Sequence, residues 1–278
     1  MSGADTSAAV FCADLVRTHD FDRYASTLFV PADKRRPLLA LYGFNAEVSR
    51  VRDQVRQALP GEIRLQWWTD ALAGAGHGDV EQNPVAAELL RTVRDFDLPV
   101  DRLAKLIDAH VFDLYNDPMP DLAVLESHFR DTSGTLFACA GRILGDRSEA
   151  VDHAAEHLGL AHGVTRIAAR LPYDAARRQL YLPHDMLRQN GGSEHEFYAG
   201  KLTPAIRATL DQLIKGAQEQ LAVAGSMLAD VAEPARAAFL PIALVKYDLG
   251  QMADARFDPF ELYIRSRLRT LWTLWRAS

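Results

Sequence analysis

The sequence predicts an all-α protein that folds as a single domain. Apolar residues recur at steps of three or four along most of the chain, whereas the strict alternation typical of strands never persists. The 278 residues are enough to bury a sizeable core. No repeat, linker or low-complexity segment divides them, so we treat residues 1–278 as one domain.

Helical spacing and turn signals predict nine helices. Leu38, Leu41 and Phe44 begin the apolar stripe of the first helix, and Leu98-Pro99 separates the third helix from the fourth. Pro172 is expected to end the sixth helix, because proline removes a backbone hydrogen bond. The predicted helices cover residues 37–55, 62–72, 84–96, 100–115, 122–144, 148–170, 204–230, 234–255 and 259–275.

The segments between these helices carry turn signals or extended patterns. Glycines at 74–78 predict a loop, and residues 116–120 and 190–192 predict turns. Residues 180–183, which read Leu-Tyr-Leu-Pro, predict an extended stretch.

Composition excludes several classes of protein. The net charge of −6 argues against a nucleic-acid partner. No apolar run approaches the length of about 18 residues that crosses a bilayer, and the N-terminus lacks the pattern of a signal peptide. Arginine far outnumbers lysine, as in proteins of GC-rich bacteria. We therefore expect a cytoplasmic bacterial protein, with membrane association left open.

The first candidate site lies in the helix predicted for residues 37–55. Ser49 and Asp53 are four residues apart, so they are predicted to share one helix face. One carboxylate with one hydroxyl is a poor Mg²⁺ site unless substrate phosphates supply further ligands. By itself this pattern is typical of a solvated or ion-paired helix face with Arg50 and Arg52.

The second candidate site has the same spacing. Arg170 and Asp174 lie four residues apart in the segment 158–183, one turn after Arg166. This segment ends in Tyr181-Leu182-Pro183. Again only one carboxylate stands at the spacing where two would make a stronger metal site.

Both segments resemble the active-site helices of the squalene and phytoene synthase family. The first family motif reads approximately L-Y-A-F-C-R-x-x-D-D-x-x-D, and the second ends in Y-L-P. The resemblance covers nearly the whole chain and implies an isoprenoid-synthase helical bundle around a central apolar cavity. It also implies an isoprenoid or prenyl diphosphate ligand, which the paired aspartates of the family bind through Mg²⁺.

The chain departs from the family where the chemistry lies. Ser49 and Arg170 occupy the positions of the first aspartate of each family pair, so that only Asp53 and Asp174 remain. Gly163 and Arg166 stand at the positions of a glutamine and an asparagine. Ionising an allylic diphosphate requires strong stabilisation of the leaving group. Because of this loss, no residue of the site is assigned a catalytic role.

Two interpretations of the arginines remain open. They could line a cavity that binds an anion without metal, because guanidinium groups bind phosphate directly. They could instead pair with Asp53 and Asp174 and fill an inactive site. No cofactor is expected, and Mg²⁺ at the two aspartates only if the protein is catalytic. The candidate ligand-binding residues are Arg50, Asp53, Arg64, Arg166, Arg170, Asp174 and Tyr181.

The resemblance leads to a functional hypothesis. Residues 50–54 and 61–68 are most similar to a branch of the family that lacks the aspartates and includes a mitochondrial assembly factor of respiratory complex I. We therefore expect a non-catalytic assembly or isoprenoid-binding factor with a respiratory-chain partner. The alternative is an active prenyltransferase that condenses isoprenyl diphosphates at an atypical site, and a third hypothesis is a lipid carrier.

The C-terminal segment predicts a basic amphipathic helix. Its expected apolar stripe contains Phe260, Ile264, Leu268, Leu271 and Trp275. Arginines at positions 265, 267, 269 and 276 flank the stripe. Such a helix either packs on its own domain or lies on a membrane surface, so peripheral membrane contact is a further expectation.

Overall fold

The computed structural model describes residues 3–76 and 80–278, and the regular secondary structure of these residues is all helical, with no strand. This confirms the predicted all-α single-domain fold. A π-helical turn at Arg130–Gly134 joins the helix Leu122–Phe129 to the helix Thr135–Ile143. Three 3-10 turns lie at Val80–Gln82, Phe112–Leu114 and Ala237–Phe239. The helices are α1 Gly3–His19, α2 Phe21–Thr27, α3 Ala32–Ser49, α4 Val51–Gln54, α5 Ala58–Leu72, α6 Pro84–Phe96, α7 Val100–Ala109, α8 Leu122–Phe129, α9 Thr135–Ile143, α10 Glu149–Ala176, α11 His184–Gln189, α12 Glu194–Tyr198, α13 Pro204–Met227, α14 Glu233–Arg236, α15 Ile242–Met252 and α16 Arg267–Ala277.

Helix α10 is the centre of the bundle. It packs along α13 on one side and against α9 and the π-helical turn on the other, while α3 packs against α1 and α6. Gly159 allows the close approach to the π-helical turn, because a Cβ there would lie 2.5 Å from the backbone nitrogen of Gly134. No helix in the described ranges is long and apolar enough to span a bilayer.

The first long helix differs from its prediction at both ends. Helix α3 begins at Ala32, so Pro37 lies inside the helix and leaves one carbonyl without its backbone partner. The helix ends at Ser49, because Arg50 leaves the helical region with φ −101° and ψ 1°. The short helix α4 follows at once, so a break separates Ser49 from Asp53.

The prediction that Pro172 ends the sixth helix was wrong. Helix α10 continues through Pro172 to Ala176, and Leu171, Asp174 and Ala175 are buried on its inner side. Packing on that side outweighs the hydrogen bond lost at proline. The last helix was also predicted too long, since α16 begins at Arg267 and not at residue 259. Of the loop predicted at 74–78, the last two residues lie outside the described part.

Candidate functional site

A cavity of about 500 Å³ lies between α3, α4, the π-helical turn, α10 and the extended segment after it. Its apolar lining is limited mainly to Ala46, Phe129, Leu136 and Ile167. Arginine, aspartate, histidine and other polar side chains form the rest of the wall. The predicted central cavity is therefore present, and most of the residues that line it are polar although apolar atoms form a comparable share of its surface.

We call one part of this wall the mouth, defined as Asp53, Arg170, Tyr173, Asp174 and Arg177. Solvent reaches Tyr173, which is 41% exposed. The Tyr173 hydroxyl donates to Asp53 Oδ1 over 2.7 Å, and Arg177 Nη1 donates to the same oxygen. Arg177 Nη2 also donates to the carbonyl of Arg52 over 3.2 Å. Asp53 thus already has two donors and a full counter-charge.

The second motif is paired in a similar way. Arg170 Nη2 lies 3.7 Å from Asp174 Oδ1, and the Asp174 side chain is only 7% exposed. Burial raises the pKa of Asp174 to about 7, although Arg170 acts in the opposite direction. The Arg170 and Arg177 guanidinium carbons lie 4.9 and 5.0 Å from the Tyr173 ring centre, so this ring joins both pairs.

We call the other part the buried wall, defined as Asp20, Arg23, His110, Asp113 and Gln179. Arg23 Nη1 donates to Asp20 Oδ2 over 2.6 Å, and both side chains are nearly buried. Burial would raise the pKa of Asp20, but the charges of Arg23 and then Arg166 hold it below its usual value. The Arg23 guanidinium also lies 5.7 Å from the Tyr42 ring centre and 5.8 Å from that of Phe137, which fixes its position.

A second polar cluster in the buried wall centres on Asp113. Its Oδ2 lies 2.6 Å from His110 Nδ1, and its Oδ1 accepts a hydrogen bond from the Tyr181 hydroxyl. Burial opposes ionisation of Asp113, but His110 on balance holds its pKa below the usual value. Burial and the Asp113 charge raise the pKa of Tyr181 well above its usual value. Burial also lowers the pKa of the neighbouring His128.

Three nitrogen atoms of the buried wall have no hydrogen-bond partner among the described residues. They are Arg23 Nη2, His110 Nε2 and Gln179 Nε2. Their residues are 6%, 9% and 6% exposed, so each atom is effectively removed from bulk solvent. Buried polar groups are normally hydrogen-bonded, and unpaired ones mark a place for a ligand or an ordered water. At least the Arg23 and Gln179 groups are donors, so they fit oxygen acceptors.

The structure brings most of the predicted site residues together, with one exception. Ser49, Arg50, Asp53, Arg166, Arg170, Asp174 and Tyr181 line the cavity. Arg64 does not, because its Nη1 donates to Gln54 Oε1 over 2.5 Å outside the cavity wall. The prediction that Ser49 and Asp53 meet on one continuous helix face was wrong, since the chain turns at Arg50 between them.

Sequence reasoning missed the buried wall and the partner of Asp53. Asp20 and Arg23 are separated by three residues and resemble a surface ion pair in the sequence. His110 and Asp113 are three residues apart, but Gln179 comes from a distant segment, so no local pattern joins all three. Among these missed residues, Arg177 had a local signal in the sequence, because it follows Tyr173 by four residues and so lies on the same helix face.

Two observations concern metal binding. In residues 3–76 and 80–278 no three His, Cys, Asp or Glu side chains are grouped closely enough to hold a metal ion. Asp53 and Asp174 are each paired with an arginine, and a guanidinium in this position repels Mg²⁺. The donor set therefore does not fit a resident magnesium site.

Gly163 stands where the family motif has a glutamine, and the cavity wall leaves no room for a side chain at this position. A Cβ on Gly163 would lie 2.3 Å from the ring of Phe129. Any side chain at this position would have to displace that ring from the cavity wall.

Comparisons with known proteins agree with this fold. The model of the squalene/phytoene synthase family matches residues 16–276. The complex I assembly factor 6 of Mus musculus is 30% identical over 251 residues, which cover 90% of this chain and 75% of the relative. Phytoene synthase 2 of Solanum lycopersicum is 25% identical over 214 residues, with coverages of 75% and 67%. The crystal structure of a squalene synthase from Alicyclobacillus acidocaldarius superimposes with a TM-score of 0.76 at 19% identity, over 91% of this chain and 95% of that one.

Proposed function

This chain belongs to the squalene/phytoene synthase family, and we propose that it is a non-catalytic member that acts as an assembly or isoprenoid-binding factor, with a respiratory complex as its partner. The observation that carries the proposal is that both aspartates of the mouth are already paired with other side chains. Asp53 is bound by Arg177 and Tyr173, and Asp174 faces Arg170. Neither aspartate is free to hold a cation on a diphosphate leaving group, which metal-assisted ionisation requires.

The likeness to the assembly factor supports the respiratory part of the proposal. Complex I assembly factor 6 of mouse aligns with 90% of this chain, and the tomato phytoene synthase aligns with 75% at lower identity. We accordingly propose that the protein helps to assemble a respiratory complex of the complex I type.

The cavity supports the isoprenoid part. Its volume of about 500 Å³ lies within the range of small-molecule sites. Arg50 and Arg166 make no ion pair or side-chain hydrogen bond in the part of the chain that the structure describes, so an anionic head group can pair with them. We propose no resident cofactor, a cytoplasmic location in a bacterium and a peripheral contact with the membrane, where apolar ligands reside.

Turnover is the direct test of the non-catalytic proposal. The purified protein is incubated with farnesyl or geranylgeranyl diphosphate, Mg²⁺ and NADPH, beside an active squalene synthase as control. We expect no C30 or C40 product from this protein. Clear formation of either product would refute the proposal.

A deletion strain tests the assembly role separately. Loss of the gene is expected to lower the amount of assembled complex I on native gels, and the wild-type gene is expected to restore it. An unchanged level of the complex would remove the respiratory partner from the proposal while leaving ligand binding open.

A second candidate function is that of an active prenyltransferase with an atypical site. It is favoured by Arg166 and Arg50, which line the cavity without an ion pair among the described residues and could take over part of the diphosphate charge. In that case Asp53→Ala and Arg170→Ala should each abolish turnover. Activity equal to wild type in both variants would exclude this function.

A further inference from the structure

The end of the chain carries a surface that the fold does not cover. We call it the C-terminal apolar surface, and it consists of Leu262, Ile264, Leu268, Trp272 and Trp275. These side chains are 73%, 73%, 81%, 53% and 60% exposed, in that order. Scattered exposed apolar residues are normal, but five within fourteen residues are a concentration that is typical of an interaction site.

The geometry of α16 explains why this surface remains open. Thr270 and Leu274 are buried on the side of the helix that contacts α2 and α15. Leu268, Trp272 and Trp275 follow one another at steps of four and three, so they share the opposite face. The Trp272 and Trp275 ring centres lie 5.2 Å apart, so the two indoles form one apolar block.

The sequence prediction for this region is thereby corrected. Leu271 was expected on the same stripe as Leu268 and Trp275, but it packs against the small cluster of Leu240, Leu244 and Leu274, and Trp272 lies beside Trp275 on the exposed face instead. Phe260 also turns inwards, since its ring centre lies 5.9 Å from that of Phe197.

The charge of the segment is opposite to that of the protein. Residues 262–278 contain four arginines and no aspartate or glutamate, while the whole chain has a net charge of −6. Arg265 is neutralised inside by Asp22 and Asp248, and its side chain is only 6% exposed. Arg267 and Arg269 are exposed and lie over the rings of Phe21 and Tyr247, at 4.7 and 5.7 Å from the ring centres.

We infer that the C-terminal apolar surface docks on a bilayer that contains anionic lipids, which specifies the membrane contact included in the proposed function. Tryptophan and leucine on one face with arginine at its edge is the composition of a helix that lies in a membrane interface. Arg267, Arg269 and Arg276 make no ion pair among the described residues, so their charges are available to attract an anionic lipid surface.

A second cavity borders both the C-terminal apolar surface and the larger cavity of the candidate site. It has a volume of about 210 Å³, and its wall includes Tyr263 and the exposed Ile264. Arg23, His162 and Arg166 line both this cavity and the larger one. The second cavity thus reaches from Ile264 of the C-terminal apolar surface to side chains that also line the candidate ligand site, which favours a lipid surface over a soluble partner.

Vesicle binding tests the inference. The full chain is mixed with vesicles of phosphatidylcholine alone or with added phosphatidylglycerol, and binding is followed by co-sedimentation and by tryptophan fluorescence. We expect roughly hundredfold tighter binding to the anionic vesicles, because each of three outward arginines adds about 1 kcal/mol near such a surface. Added salt should weaken binding by screening.

A matched pair of variants locates the contact. Leu268→Gln with Trp272→Gln is expected to weaken binding at least about tenfold, because it removes apolar side chains that would enter the interface. The control is Leu59→Gln with Ile63→Gln on α5, where two residues four apart are 64% and 62% exposed. This control is expected to bind like wild type, and both proteins should keep the wild-type circular dichroism and melting temperature.

Several results would overturn the inference. They are absence of vesicle binding, equal binding to neutral and anionic vesicles, and equal losses in the two variants. Self-association in solution that disappears with Leu268→Gln would show that a second copy occupies the surface instead. None of these results touches the turnover assay, so the two proposals fail independently.

Discussion

The mouth and the buried wall of the cavity are both rich in arginine and aspartate, yet they satisfy their charges differently. At the mouth, Asp53 has two donors and Arg170 faces Asp174. In the buried wall, Arg23 pairs with Asp20 but keeps Nη2 without a partner. Gln179 and His110 each keep an unpaired nitrogen too.

This difference indicates which part of the site is still able to bind a ligand. Groups that already hold each other must break an existing pair before they bind anything else. Buried donors without a partner gain a hydrogen bond at no such cost, and an oxygen-rich ligand relieves their desolvation. Under the proposed function, the pairing at the mouth prevents metal binding, while the buried wall leaves donors that a ligand in the cavity can use.

The largest expected effect separates the two regions by stability. Asp20→Ala should lower the free energy of unfolding by about 3–5 kcal/mol, because it leaves the buried Arg23 charge uncompensated. Asp20 also accepts a hydrogen bond from Arg23 N at the start of α2, so helix capping is lost as well. Chemical denaturation followed by circular dichroism measures the change.

The matched variant at the mouth is Asp53→Ala. Its side chain is 36% exposed, so its pair with Arg177 should contribute only about 0–1 kcal/mol. Equal losses of stability in the two variants would mean that the distinction between mouth and buried wall is false.

Three residues of the mouth, Asp53, Arg170 and Asp174, were predicted from the sequence, whereas the buried wall was not. Ser49, Asp53, Arg170 and Asp174 fall within two motifs, whose spacing places them correctly on the cavity even though the helix breaks at Arg50. The buried wall joins residues of α2, the 3-10 turn at Phe112–Leu114 and the segment after α10, and only tertiary packing brings these together.

The bounds of the helices were likewise predicted correctly only where local sequence signals determine them. Local periodicity placed α6 at its observed bounds of Pro84–Phe96, where an asparagine cap and a proline mark the start. It failed at Pro172, because proline is a local signal for a helix end while the burial of Leu171 and Ala175 is a property of the assembled bundle. It also gave no helix for α1 or α2, although both pack against the core.

The next effect concerns the protonation of Asp174 at the mouth. The folded protein holds this proton up to about pH 7, whereas an unperturbed aspartate loses it near 3.8, because burial disfavours the carboxylate. Between these values the folded state binds more protons than the unfolded chain, so the free energy of unfolding should fall as pH rises. The interval corresponds to at most about 4 kcal/mol.

Asp174→Asn isolates this contribution, since asparagine has the same shape and does not titrate. Stability measured from about pH 4 to 8 should decline less steeply in the variant than in wild type, in the interval set by the two pKa values. Parallel curves for both proteins would show that Asp174 is ionised in the folded state and that the mouth is more solvated than the structure indicates.

A third test compares Arg177 at the mouth with Arg166, a cavity arginine outside both regions that makes no ion pair among the described residues. Farnesyl diphosphate in the presence of a metal chelator should bind through Arg166, so Arg166→Gln is expected to lose about 1.5–3 kcal/mol of binding free energy, the typical value of a hydrogen bond to a charged group. Arg177→Gln should lose much less, because this arginine already pairs with Asp53. Isothermal titration calorimetry measures both, and the reverse order would place the ligand at the mouth.

The smallest effect is expected when the lost aspartates are restored. Ser49→Asp with Arg170→Asp returns the carboxylate at each motif position, and neither Ser49 nor Arg170 is buried. The variant should still make no C30 or C40 product, because Asp53 remains bound to Arg177 and Tyr173 and cannot complete the metal site. Turnover with Mg²⁺ in this double variant would show that the two aspartates alone decide activity. If turnover appears only after Arg177→Gln and Tyr173→Glu are added, the pairing at the mouth is what keeps the site inactive.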